Sequence, residues 1–206
     1  MSKKQVLLLI AIILFFDQAT KTYIKTHFVL GQELKVFEWF KIFFIENEGM
    51  AWGAKLSDIS SYITDSNAKL FLSIFRLFAV FGIGYWLFQS IKKQASKVLI
   101  ISITLVFSGA LGNIIDSVFY GLFFESSLGQ IASFYPSNSY SGLFYGSVVD
   151  MLYFPIFKGA LPQWIPFFGG QYFSFFDPVF NVADIAISTG IGFLLFFNKK
   201  VFLKKI

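Results

Sequence analysis

The chain has 206 residues, of which 56% are hydrophobic and 14% are charged. Soluble domains carry about 25% charged residues, so this composition excludes an ordinary soluble domain and indicates a membrane protein. Cysteine is absent and histidine occurs once, which excludes disulfides and thiolate chemistry and argues against a Ser-His triad or a histidine zinc site. Any catalytic chemistry must therefore come from carboxylates, lysines, hydroxyl groups or the backbone.

Four apolar segments are long enough to cross a bilayer, which takes about 20 residues of helix. They span roughly residues 5–26, 69–91, 98–120 and 179–198. Two lysines precede the first span, and its apolar run is short, as in a secretory signal peptide. No cleavage site of small residues follows it, so we interpret it as the first transmembrane helix. The chain, residues 1–206, is predicted to be a single integral membrane domain that is mainly α-helical.

Two regions between these spans are too polar to cross a membrane. Residues 27–68 mix charges with aromatic side chains, a composition that suits a small amphipathic sheet or hairpin at the membrane interface. Residues 121–178 are rich in Tyr, Ser, Gly and Pro, and contain no run long enough to span hydrocarbon. We expect a long loop there, before the last helix.

The basic residues predict the orientation of the chain. More than half of the 17 Lys and Arg residues lie at the amino end, in the turn at 92–97 and in the carboxyl tail. Short cytoplasmic segments are enriched in Lys and Arg, so these three segments are assigned to the cytoplasm. Both termini are then cytoplasmic, and both polar regions face outward. The net charge of +5 is explained by topology, and no nucleic-acid partner is predicted.

Carboxylates from separate segments reach a similar depth in this topology. Asp17, Asp116 and Asp184 lie towards the outer ends of the first, third and fourth spans, and Asp150 follows two valines in the outer loop. A charged group in a membrane segment is costly and marks a functional site. Two close carboxylates do not both ionise cheaply, so one keeps a proton while the other activates a water. The residues alone do not decide whether Asp116 or Asp150 partners Asp184.

Each acid also has a structural interpretation. Asp17 precedes Lys21 by one helical turn, so an ion pair on one helix face explains it equally well. Asp116 can equally serve as a hydrogen-bond acceptor at the end of its helix. Asp184 has no basic residue near it in its helix, which favours a functional role for it.

Other residues in the spans are interpreted as anchoring or packing residues. Arg76 lies near the entry to the second span, where a snorkelling anchor is expected. Gly109 and Gly112 form a small-residue face, and Gly190 and Gly192 form another. In membranes such faces indicate close helix packing more often than a phosphate loop.

Five short motifs occur in a fixed order along the chain. They are Asp17-Gln18-Ala19-Thr20-Lys21, Asn47-Glu48-Gly49-Met50-Ala51-Trp52, Gly112-Asn113-Ile114-Ile115-Asp116, Val148-Val149-Asp150 and Phe180-Asn181-Val182-Ala183-Asp184. Each is weak alone, but five in this order, on a chain of this length and topology, are highly specific. They resemble the motifs of lipoprotein signal peptidase (signal peptidase II), a family of bacterial intramembrane aspartyl proteases.

The resemblance implies that Asp150 and Asp184 are the catalytic pair. It further implies a set of residues that bind substrate or support that pair: Asp17, Lys21, Asn47, Gly49, Ala51, Asn113, Asp116 and Asn181. The outer sheet would form an extracytoplasmic, β-rich cradle resting on the membrane. The expected fold is thus four transmembrane helices with this cradle and a long outer loop before the last helix.

The resemblance also implies a substrate and a location. The substrate would be a prolipoprotein whose cysteine carries a diacylglyceryl group, and cleavage would fall immediately before that cysteine. The enzyme would act as a monomer, without metal or cofactor, in the bacterial cytoplasmic (inner) membrane. Its site would lie near the outer leaflet, in contact with membrane lipid, and globomycin-type compounds would inhibit it.

The chain departs from the family pattern in two respects. The family usually has an arginine after the aspartate of the third motif, where this chain has Ser117. Either the carboxylate pKa values rise as a result, or Lys21 supplies the missing charge. The outer loop is also long, so residues 122–145 look inserted and residues 153–177 look extended. The sequence therefore does not predict how these two segments lie over the site.

Two other classes of protein compete with a protease. A transporter or proton channel also uses membrane acids, but it should distribute polar groups across the membrane, and the inner halves of these spans are almost wholly apolar. A non-catalytic scaffold would not require several acids to converge. We therefore predict that the acids meet in one outward-facing cleft.

Overall fold

The computed structural model describes residues 1–48, 64–175, 177–197 and 199. The described helices are α1 (Lys3–His27), α2 (Asp65–Lys92), α3 (Lys97–Ile115), α4 (Gly121–Phe123) and α5 (Val182–Phe196), with a π-helical turn at Asp116–Tyr120. The described strands are β1 (Glu33–Phe37), β2 (Phe40–Asn47), β3 (Val148–Tyr153), β4 (Phe157–Ala160), β5 (Tyr172–Phe175) and β6 (Val179–Phe180).

Long apolar helices dominate the part of the chain that the structure describes. Three stretches there are long and apolar enough to cross a membrane, namely Lys3–His27, Asp65–Lys92 and Lys97–Phe123. The apolar helix α5 is shorter, at 15 residues. The predicted mainly helical membrane fold with a small antiparallel sheet is therefore confirmed, whereas a fourth crossing and the cradle stay predictions.

The last helix begins later than the hydropathy pattern suggests. Residues 179 and 180 form β6, and α5 begins at Val182 with Asn181 as its N-cap. The Asn181 side chain accepts a hydrogen bond from the Asp184 backbone N–H at 3.0 Å, and the Asp184 carboxylate accepts one from the Asn181 backbone N–H at 3.1 Å. This reciprocal capping box sets the helix start, because it satisfies N–H groups that the first helical turn leaves unpaired.

Helix α3 is the central helix and packs against α1, α2 and α5. Its contact with α5 is close because glycines line both sides. A Cβ atom added to Gly109 would lie 2.3 Å from the Ala183 carbonyl oxygen, and one added to Gly190 would lie 2.7 Å from the Ser102 carbonyl oxygen. Small residues let membrane helices approach closely, as predicted for these positions. Gly192 differs, since a Cβ atom there would have no neighbour within 4 Å.

Replacing Gly109 with alanine is expected to lower the stability of the protein by roughly 1–3 kcal/mol, because the new methyl group must push α3 away from α5. Gly192→Ala is the matched control, since it adds the same methyl group to α5 in open space. Thermal unfolding of the purified variants in detergent measures the difference. Equal Tm values for the two variants would contradict this account of the helix contact.

The described strands form a four-stranded sheet in the order β1-β2-β3-β6, with antiparallel pairing throughout, and a separate β4–β5 hairpin. In the β2–β3 pair, Ile45 lies opposite Asp150. Val149 and Met151 belong to a buried cluster with Phe44, and side chains alternate between the two faces of a strand. Asp150 therefore points away from this cluster.

The apparent insertion at residues 122–145 is fastened to the rest of the molecule. The buried Lys25 ammonium of α1 pairs with Glu46 of β2, and it also donates to the Ser127 hydroxyl at 3.0 Å. The Tyr140 hydroxyl accepts a hydrogen bond from the Ser147 backbone N–H at 2.9 Å. This segment thus contributes to the packing beside the sheet.

Candidate active site

A buried ion-pair network joins α1 to the end of α3. The Lys21 ammonium lies 2.9 Å from Asp17 Oδ2 and 2.8 Å from Asp116 Oδ2, and it donates to Asn113 Oδ1 at 2.8 Å. The three ionised side chains are 0% exposed. Burying charges is costly unless each is paired and hydrogen-bonded, and here these contacts meet that requirement. The structural pairing of Asp17 with Lys21 is thus present.

The same network holds two backbone segments in place. Asp17 Oδ1 accepts a hydrogen bond from the Ala183 backbone N–H at 2.9 Å, and Asp116 Oδ2 accepts one from the Val149 backbone N–H at 3.3 Å. Each donor is the residue immediately before one of the two predicted catalytic aspartates. The network therefore positions the strand and the helix that carry them.

Gln18 completes this network, although the sequence analysis did not single it out. Its side-chain amide donates to Asp17 Oδ2 at 3.0 Å and to Asp116 Oδ1 at 2.9 Å. Its carbonyl oxygen accepts from the Tyr120 hydroxyl at 3.1 Å. Gln18 belongs to the first motif, so its place next to Asp17 was the available signal.

Asp184 lies in the first turn of α5, where its carboxylate contacts two N–H donors. Asp184 Oδ1 accepts from the Asn113 side-chain amide at 2.9 Å, and Asp184 Oδ2 accepts from the Asn181 backbone N–H at 3.1 Å. The amino end of a helix favours a negative charge. Capping and a chemical role are therefore compatible for this residue.

Asp150 has a different environment, since it is 3% exposed on the strand β3. Its Oδ1 accepts from the Asn181 side-chain amide at 2.6 Å, and its Oδ2 accepts from Asn47 at 3.4 Å. Burial, followed by the nearby charge of Asp184, raises the pKa of Asp150 to about 7, and the two amide hydrogen bonds oppose part of this rise.

Asn181 links the two predicted catalytic acids. Its side-chain amide contacts Asp150 and its backbone N–H contacts Asp184. The same amide also donates to Asn113 Oδ1 at 3.2 Å, and Asn113 in turn donates to Asp184. Asp116, the alternative partner, instead pairs with Lys21. Of the two candidate partners, Asp150 is thus the one that shares Asn181 with Asp184.

Arg76 does not lie where a snorkelling anchor is expected. It is half-buried, and its Nη1 donates to the Ser117 hydroxyl at 3.1 Å. The Ser117 hydroxyl in turn donates to the Asn113 carbonyl oxygen at 3.0 Å. Lys21, the residue expected to supply the charge missing at position 117, lies between two carboxylates. The sequence signal for Arg76 was a cation within an otherwise apolar helix.

Most of the predicted site residues converge. The structure brings together Asp17, Lys21, Asn47, Asn113, Asp116, Asp150, Asn181 and Asp184. Gly49 and Ala51 lie outside the described residues. The convergence gives a site with several carboxylates, surrounding amide groups and a supporting ion-pair network.

Comparison with known protein sequences finds relatives along most of the chain. The sequence matches the family model described as signal peptidase (SPase) II over residues 9–199. It is similar to a lipoprotein signal peptidase of Porphyromonas gingivalis, with 45% identity over 194 residues that cover 93% of this chain and 81% of the relative. A lipoprotein signal peptidase of Syntrophus aciditrophicus is 28% identical over 199 residues, covering 95% of this chain and 93% of the relative.

Two solved structures, each described as a bacterial membrane enzyme, share the fold. One has a TM-score of 0.60 and 22% identity, covering 99% of this chain and 96% of that chain. The other has a TM-score of 0.58 and 23% identity, covering 98% of this chain and 93% of that chain. The similarity therefore extends along nearly the whole chain.

Proposed function

The chain belongs to the signal peptidase II family, as its five motifs predicted, and on this premise we propose that it is an intramembrane aspartyl endopeptidase. Its reaction would remove the signal peptide from diacylglyceryl-modified prolipoproteins, with cleavage before the lipidated cysteine. The observation that carries this proposal is the linkage of Asp150 and Asp184 through Asn181. Two acids that share one amide residue but differ in surroundings suit a general acid and a general base.

The surroundings of the two acids suggest their roles. Asp150, whose pKa is raised to about 7, holds a proton near neutral pH and is the general acid. Asp184, which contacts two N–H donors at a helix amino end, is the general base. Asn113 and Asn181 hold the two carboxyl groups in position. The network around Lys21 supports β3 and α5, which carry them.

The reaction would proceed through a hydrated peptide bond. Asp184 takes a proton from water while the water oxygen forms a bond to the scissile carbonyl carbon, and Asp150 gives its proton to the carbonyl oxygen. The resulting gem-diol then collapses, and the C–N bond breaks. The proton on Asp184 passes to the leaving nitrogen, and Asp150 recovers a proton from one hydroxyl of the gem-diol. Both acids return to their starting states.

A membrane location suits this substrate. Asp184 lies on the apolar helix α5, which packs against α3, one of the helices long enough to cross a bilayer. A diacylglyceryl group can remain in the hydrocarbon while the adjoining peptide reaches the acids. We place the site near the outer leaflet of the bacterial cytoplasmic membrane, with both termini in the cytoplasm, because of the distribution of lysines.

Cleavage of a purified diacylglyceryl prolipoprotein tests the proposal, with the same precursor lacking the lipid as its matched control. We expect the chain to release the signal peptide before the lipidated cysteine, at least about tenfold faster than from the unlipidated precursor, because the lipid contributes binding energy to the transition state. Mass spectrometry of the products identifies the cleaved bond. Equal rates on both precursors would contradict the proposed preference for the lipidated substrate. No cleavage of either precursor would contradict the proposed function.

The reaction rate is expected to fall in alkaline solution. The pKa of Asp150 is raised to about 7, and a general acid must carry its proton, so the active fraction decreases as the pH rises above that value. We expect kcat/KM to decrease by about tenfold per pH unit well above pH 7. Initial rates between pH 5 and 9 measure this, with Tm over the same range as the control for unfolding. A rate that stays constant up to pH 9 would contradict the role of Asp150.

A further inference from the structure

A guanidinium group from α2 is connected to the proposed catalytic acids through a short chain of contacts. Arg76 donates to the Ser117 hydroxyl at 3.1 Å, and that hydroxyl donates to the Asn113 carbonyl oxygen at 3.0 Å. The Asn113 side chain then donates to Asp184 Oδ1 at 2.9 Å. Two residues, Ser117 and Asn113, therefore connect Arg76 to one of the proposed reacting carboxylates.

The charge of Arg76 acts on these acids directly as well. Its positive charge interacts electrostatically with three carboxyl groups, which in decreasing order of effect are Asp150, Asp184 and Asp116. An arginine does not lose its proton in proteins, so this charge is permanent. Half-burial of the side chain limits the screening of this charge by solvent.

The other positive charges around the Asp150–Asp184 pair have partners of their own, so the effect of Arg76 can be considered separately. Charged residues on the described elements that surround the pair include Asp17, Lys21 and Lys25 on α1, Glu46 on β2, Glu48 after it, Lys69 on α2 and Asp116 after α3. Lys21 also acts on Asp150, but its charge is largely offset by its two carboxylate partners. Lys25 pairs with Glu46, and Lys69 donates to the Ser147 hydroxyl.

We propose that Arg76 is a positioning residue of the protease reaction, whose charge, held at Ser117, sets the pH range in which the Asp150–Asp184 pair carries one proton. The inference rests on the proposed function, because the pair must be singly protonated to supply both an acid and a base. A nearby positive charge favours the ionised form of a carboxyl group. Removing that charge moves both ionisations of the pair to higher pH.

The pH profile of kcat/KM on the lipidated precursor tests this inference. For Arg76→Gln we expect the acidic and alkaline limbs to shift together to higher pH, by up to roughly one unit. At pH 8 the variant then keeps a larger share of its maximal activity than the wild type does, because more of Asp150 still carries its proton. Arg76→Lys keeps the charge and is expected to keep the limbs in place, even where its rate is lower.

A neighbouring residue on α2 provides the matched structural control. Ser73 is buried and donates to the Phe144 carbonyl oxygen at 2.8 Å, so Ser73→Ala removes a hydrogen bond of α2 without changing charge. We expect Ser73→Ala to leave both limbs where they are. A loss in Arg76→Gln that is uniform across pH, as a merely structural role produces, would overturn the inference.

A charge supplied from the π-helical turn after α3 keeps the test informative even where Arg76→Gln does not fold. The double variant Arg76→Gln, Ser117→Arg places a guanidinium at the residue that Arg76 contacts, and it is expected to return both limbs to their wild-type positions. Limbs that remain shifted in a folded double variant would overturn the inference. If the wild type itself does not cleave, the proposed function fails; if it cleaves and removal of the charge moves neither limb, only the role of Arg76 fails.

Discussion

Asp150→Asn and Asp184→Asn are each expected to lower kcat on the lipidated precursor by roughly 10⁴-fold or more, because each removes one of two groups that act as a unit. Asparagine keeps the size of the side chain and one oxygen that accepts hydrogen bonds, so each residue retains one of its two contacts with N–H donors. The loss is therefore expected to appear in kcat and not in the yield of folded protein. Single-turnover cleavage together with Tm in detergent separates the two effects.

A carboxylate outside the site provides the control for these variants. Asp177 accepts a hydrogen bond from the Tyr153 hydroxyl at 2.8 Å, and Asp177→Asn keeps an oxygen at that place. We expect this variant to cleave at nearly the wild-type rate. Full activity in either Asp150→Asn or Asp184→Asn would show that the pair is misassigned, and Asp116 would become the next candidate.

Lys21→Met is expected to destabilise the protein by about 3–5 kcal/mol, because it leaves two buried carboxylates without their cation. Asp17 and Asp116 are both 0% exposed, so water does not replace the lost partner. The loosened network should also displace the backbone before Asp150 and Asp184. Thermal and denaturant unfolding in detergent measure the effect.

An exposed ion pair provides the comparison for Lys21→Met. Lys41 lies 2.6 Å from Glu33, and their side chains are 26% and 41% exposed. Lys41→Met is therefore expected to cost about 0–1 kcal/mol. Adding Asp17→Asn and Asp116→Asn to Lys21→Met should recover much of the stability, since an uncharged network no longer buries unpaired ions. If Lys21→Met and Lys41→Met have the same Tm, Lys21 does not have the proposed structural role.

The general class of the protein follows from local properties of the sequence. Hydropathy over about 20 residues is enough to identify membrane-crossing helices, because hydrocarbon excludes unpaired polar backbone. The five motifs were enough to identify the family, since each is a short run of neighbouring residues. Asp150, Asp184 and Asn181 could be proposed as site residues on the same grounds.

The sequence alone left the partner of Asp184 open, and in the tertiary structure Asp150 is the candidate that shares Asn181 with it. Asp116 and Asp150 were both candidates, since both follow apolar runs. Packing of α1 on α3 places Lys21 beside Asp116, and this approach depends on Gly112, where an added Cβ atom would lie 2.5 Å from Asp17 Oδ2. A sequence pattern does not show which faces of two separate helices meet.

Arg76 shows most clearly the difference between what neighbours along the chain indicate and what packing adds. The sequence by itself determined that a cation stands near the start of an apolar helix and that Ser117 stands where an arginine was expected. The tertiary structure decided that these two residues, 41 positions apart, are hydrogen-bonded. Periodicity and composition report on neighbours along the chain, whereas the field at the site is a sum over charges that packing brings in from α1, α2, β3 and α5.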